Sequence, residues 1–108
     1  MPQVPTVEVA ELPVDAVLID VREDDEWMAG HAPDARHLPM SRFAQHVSEV
    51  PEADPLYVIC RSGGRSAQVV AFLNQQGHSS VNVAGGMQAW AALGRPMVAE
   101  HGGPPDVV

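Results

Sequence analysis

The chain has 108 residues, with 14 Asp plus Glu against 6 Arg and no Lys, and a formal charge of −8. That length suits one domain with a single core, the acidic balance excludes the basic stripe of a nucleic-acid binder, and the absence of Lys excludes Schiff-base chemistry. A single cysteine, Cys60, excludes an intramolecular disulfide framework and any CxxC redox or zinc motif.

The opening MPQVPTVEVAELP has neither a basic region nor an uninterrupted apolar run, so no leader is expected. No stretch approaches the roughly 18 apolar residues of a membrane span. The expectation is a soluble cytoplasmic domain with no nucleic-acid or membrane partner, folded over residues 1–98 and followed by an irregular tail, 99–108, that adds little to the core.

Thr6 to Val9 alternates polar and apolar residues as a short edge strand does, and AVLIDV (16–21) is an apolar run of buried parallel-strand type. Asp24 or Asp25 is placed to cap a short helix that Gly30 ends. Pro33 and Pro39 bracket a short strand at Arg36 to Leu38, and Ser41 is placed to cap a helix over SRFAQHVSEV. LYVIC (56–60) is a second buried strand. Ser66 opens the helix SAQVVAFLNQQ, with Val69, Val70, Phe72 and Leu73 on its apolar side and Gly77 at its end. Ser79 to Val83 is a third central strand, Gly85-Gly86 a chain reversal, and Met87 to Leu93 the last helix. Strands alternating with helices predict an α/β domain with a mostly parallel sheet.

Charge is unevenly distributed: residues 1–55 hold twelve acids and three Arg, whereas 56–99 hold three Arg and no acid. Anion chemistry therefore belongs to the second segment. Within it, LYVIC-RSGG-R-SAQVVAFL reads as strand, glycine loop and helix N-terminus, and ligands of open α/β sheets bind beyond the carboxyl ends of the strands. Gly63 and Gly64 let the backbone turn several N–H groups inward as a nest, and the helix dipole points at the same spot. Such a cradle stabilises a Cys60 thiolate, while Arg61 and Arg65 offer forked guanidinium groups to an incoming oxyanion. No carboxylate lies nearby in sequence to oppose them.

CRSGGRS, together with IDVRE, EWMAGHAPDARHLP and NVAGGMQAW, resembles a single-domain rhodanese, the sulfurtransferase family that carries sulfur as a cysteine persulfide. The resemblance spans about residues 16–97 and implies a five-stranded, mostly parallel sheet with helices on both faces. It makes Cys60 the persulfide-forming nucleophile, with Arg61, Ser62, Gly63, Gly64, Arg65 and Ser66 binding the substrate. It also makes Asp20 and Arg22 a structural pair beside the site. The activity implied is thiosulfate sulfurtransferase, needing no cofactor and no metal. Its donor is thiosulfate-like or a persulfide, and its acceptor an external thiol, cyanide or protein, because no second cysteine is present to resolve the persulfide. The loop lacks the CG-containing sequence typical of mercaptopyruvate sulfurtransferases.

His31 reads as a hydrogen-bonded turn residue, with proton donation as its alternative role. Trp27 and Glu26 pack the first helix, Glu26 in reach of an Arg. Two other functions are open: a non-turnover sulfur-relay or interaction module, and a phosphatase or arsenate reductase. The second is disfavoured because four residues separate Cys60 from Arg65, where the related phosphatases have five.

Overall fold

A computed structural model describes residues 4–108; residues 1–3, the start of the segment read for a leader, lie outside the described residues. Among the described residues five strands form one sheet: β1 (Thr6–Glu8), β2 (Leu18–Asp20), β3 (Arg36–His37), β4 (Leu56–Ile59) and β5 (Ser80–Ala84). Their order is β1-β5-β4-β2-β3, with every neighbouring pair parallel. Among the described residues three α-helices accompany them, α1 (Asp24–Ala29), α2 (Gly64–Gln75) and α3 (Gly86–Ala92).

Side chains on a strand alternate between faces, and here that alternation divides the core in two. Leu56, Val58 and Cys60 of the β4 segment join Ile19, Val69, Val70 and Leu73 on the α2 face. Tyr57 and Ile59 point the other way, with Leu18, Val83, Met87 and Trp90, toward α3. Both faces are covered, which is why the central strands read as continuous apolar runs. Among the described residues no helix is long and apolar enough to cross a membrane.

Several local expectations are corrected. The N-cap of α1 is Glu23, not Asp24 or Asp25, and its backbone N–H donates to Glu26 Oε1 at 3.0 Å in the manner of a capping box. The segment after Pro39 forms two 3-10 turns, Met40–Gln45 and Val47–Glu49, in place of an α-helix. Ser41 is not its cap: its N–H and hydroxyl both donate to the Glu23 carboxylate. Helix α2 starts at Gly64, two residues before Ser66, because Gly63 at φ 112° already turns the chain into it. Phe72 lies at the margin of the apolar face, 40% exposed and edge-on to Phe43.

The tail is irregular but folds back. Glu100 and Asp106 donate their N–H groups to the Met28 and Ala29 carbonyls at 3.0 and 2.9 Å, capping the end of α1, and Val107 packs on the α3-side core.

Candidate active site

Cys60 follows β4 directly and is 1% exposed. From there the chain turns through Arg61, Ser62 and Gly63 into α2, with the thiol at the centre of the turn. The Gly63 N–H donates to Sγ at 3.0 Å and the Ser66 hydroxyl at 3.2 Å. Burial pushes the thiol pKa up, but hydrogen bonds from the Ser66 side chain and the N–H groups of Ser66, Gly63 and Ser62 outweigh it and bring it below its ordinary value. Donors of the cradle are the largest contributions to the depression, and Arg65 is coupled to the same thiolate through space.

The carbonyls of this turn are held from outside. Met87 and Gln88, at the start of α3, donate their N–H groups to the Cys60 and Arg61 carbonyls at 2.8 and 3.0 Å. With the Arg61 carbonyl held outward, the Ser62 N–H of the same peptide is left to face the sulfur. Gly86, at φ 54°, permits this approach: a Cβ there would run into the Cys60 carbonyl oxygen and lie 2.7 Å from the Arg61 carbonyl carbon. Gly85-Gly86 is thus a chain reversal, as read, and also the support of the active loop.

Asn82 of β5 is a site residue that the sequence reading missed. Its Oδ1 lies 2.5 Å from Ser66 Oγ and shares the single hydroxyl proton with Cys60 Sγ, and its Nδ2 donates to the Gly63 carbonyl at 3.3 Å. The signal was a polar residue in the middle of an apolar strand, in register with Val58, where burial demands hydrogen-bond partners.

The two arginines differ. Arg61 is exposed and forms no ion pair among the described residues. Arg65, in the first turn of α2, is gripped end-on by Glu26 of α1: Nη1 donates to Oε1 at 2.7 Å and Nη2 to Oε2 at 2.8 Å. The carboxylate that sequence distance concealed is therefore brought to the site by the fold. Arg65 in turn holds the Glu26 carboxyl down to about 2.

Asp20 and Arg22 are fully buried and bonded to each other, Nη2 to Oδ2 at 2.8 Å. Arg22 Nη2 also donates to the Gly30 carbonyl at 2.7 Å, so the pair ties the end of α1 to the end of β2 and fixes the helix that carries Glu26. His31 is buried, and in place of the expected turn it forms an isolated antiparallel bridge with Val98; Nδ1 lies 2.8 Å from the Ala32 carbonyl oxygen and Nε2 2.9 Å from Glu100 Oε2. Its ring stacks on Trp27 at 3.5 Å, and it makes no hydrogen bond to the Cys60 loop among the described residues.

Comparison with known proteins bears on this arrangement. A sulfurtransferase of Allochromatium vinosum is 44% identical over 89 residues, 82% of this chain and 83% of that protein. The thiosulfate sulfurtransferase GlpE of Pseudomonas savastanoi is 37% identical over 78 residues, covering 71% and 74%. A crystal structure of a rhodanese-related protein from Thermoplasma volcanium superposes with a TM-score of 0.81 at 32% identity, covering 87% of this chain and 97% of that one. These relatives support a rhodanese-family sulfur-transfer function. The model of the rhodanese-like domain matches residues 7–93, which takes in all five strands but for Thr6 of β1, helices α1 to α3 and the Cys60 loop, and the chain belongs to that family.

Proposed function

We propose that the protein moves sulfane sulfur by double displacement, with Cys60 carrying the sulfur as a persulfide. The observation that carries this reading is a buried thiol of lowered pKa, held 3.0 Å from Gly63 N and 3.2 Å from Ser66 Oγ in a ring of donors suited to an anionic sulfur. In the first step the Cys60 thiolate attacks the outer sulfur of a thiosulfate-like or persulfide donor. The new Sγ–S bond forms as the donor's S–S bond breaks, and its electron pair leaves with sulfite or a thiolate. The outer sulfur rests against the N–H groups of residues 61–66. Arg61 receives charge on the departing group, and Arg65 can do so once its fork is free. In the second step an external thiol, a protein thiol or cyanide removes the sulfur and restores the thiolate; the acceptor is external because Cys60 is the sole cysteine.

Steady-state transfer from thiosulfate or glutathione persulfide to cyanide tests this reading. Parallel double-reciprocal lines and complete loss in Cys60→Ser are expected; transfer that survives in Cys60→Ser overturns it.

A further inference from the structure

We infer that Glu26 determines the donor class of this site: by closing on Arg65 it favours organic persulfides over thiosulfate and other oxyanion donors. The inference rests on the sulfur-transfer reading above.

Glu26 reaches the site from α1, and both of its oxygens are engaged by the Arg65 fork at 2.7 and 2.8 Å. Oε1 also accepts the Glu23 N–H at 3.0 Å, which fixes the carboxylate from its own helix. Its side chain is 14% exposed, so pulling the pair apart leaves a sheltered charge without its partner. Arg65 keeps Glu26 ionised throughout the working pH range. With its Nη1/Nη2 end filled by a carboxylate, Arg65 can offer an oxyanion only its Nε/Nη edge beside Glu26. A thiosulfate dianion must then displace Glu26 or approach beside it, and like charges in one site oppose binding. Among the described residues Arg61 is the one loop arginine without an ion-pair partner, on a chain whose net charge is −8.

An organic persulfide makes no such demand. When the Cys60 thiolate attacks the outer sulfur of R–S–SH, the Sγ–S bond forms and the R–S bond to that sulfur breaks. The electron pair goes to the R–S group, which takes the proton and leaves as R–SH, and Cys60 is left as the persulfide anion. The charge is one unit throughout, and the N–H ring receives it without a cationic clamp. With thiosulfate the corresponding step must expel sulfite dianion past Glu26.

The test is kcat/KM for thiosulfate and for glutathione persulfide in the wild type, Glu26→Gln, Asp25→Asn, Arg65→Gln and the Glu26→Gln/Arg65→Gln double variant. Gln at this position retains the acceptor for Glu23 N–H, so the cap and the fold are kept. The wild type is expected to prefer the persulfide. Glu26→Gln should shift the ratio toward thiosulfate by about tenfold or more, mainly through a lower thiosulfate KM. Asp25→Asn removes the same charge from an exposed position on the same helix and should leave the ratio as it is. In the Arg65→Gln background the Glu26 effect should vanish. An unchanged ratio in Glu26→Gln, an equal shift in Asp25→Asn, or an effect that persists without Arg65 overturns the assignment. Failure of the wild type to accept sulfur from either donor overturns the sulfur-transfer reading itself, and the inference with it.

Discussion

Burial at the end of an apolar strand by itself makes a cysteine inert, because it disfavours the thiolate. At Cys60 this cost is outweighed by donors aimed at one atom, the Ser66 side chain first among them. Ser66→Ala should therefore raise the thiol pKa, since the strongest stabiliser of the charged form is removed. At neutral pH the alkylation rate of Cys60 should fall roughly tenfold, the equivalent of ~1.5 kcal/mol for a hydrogen bond to a charged group. A pH–alkylation profile identical to that of the wild type would remove Ser66 from this role. Cys60, Gly63, Gly64 and Ser66 are readable from sequence because the strand, glycine turn and helix start are contiguous. Asn82 is not, and Glu26 is readable only as a partner of some Arg and not as a neighbour of this loop, for they meet Ser66 and Arg65 across 16 and 39 residues and only the parallel sheet brings them together.

Two helices keep the active loop in shape, one by its N-terminus and one by a side chain. The first two N–H groups after Gly86 hold the Cys60 and Arg61 carbonyls, so Gly86→Ala forces a methyl into those carbonyls at a positive φ. A cost of about 3 kcal/mol or more in denaturant unfolding is expected, together with loss of sulfur loading at Cys60; a variant of wild-type stability and activity would show that α3 is not the support. The second brace, Glu26 to Arg65, has an acid limit. Its pKa is lowered from 4.5 to about 2, so its contribution is complete above pH 4.5 and is lost as pH falls toward 2. With Arg65 about one-third exposed, the contribution is taken as ~1–2 kcal/mol after screening. The melting-point gap between the wild type and Glu26→Gln should be full at neutral pH and close over that acid interval; a gap that stays constant contradicts it. Element positions are largely readable here, since apolar alternation and glycine punctuation are local signals. The 41–50 segment is misread because Ser41 looks like a cap by type, while its hydrogen bonds are taken by Glu23 of another element.

For the molecule as a whole, the −8 charge repels small anions, and the fold answers it locally by gathering N–H groups on an acid-free segment around Cys60. The fold also returns one acid, Glu26, to that place, which no charge count along the chain reveals. The C-terminal tail belongs to the same closure: it caps the Met28 and Ala29 carbonyls of the helix that carries Glu26 and pairs with His31. Removing residues 99–108 should cost ~2 kcal/mol, or roughly 10 °C in melting temperature for a domain of this size; an unchanged melting temperature would show that the tail does not brace α1. The central claim, that Cys60 carries sulfur, is tested most directly by intact-protein mass spectrometry after incubation with thiosulfate or glutathione persulfide. A gain of one sulfur atom that a reducing agent removes, and that Cys60→Ser abolishes, is predicted. A protein that stays unmodified with both donors while hydrolysing aryl phosphates through Cys60 would contradict it.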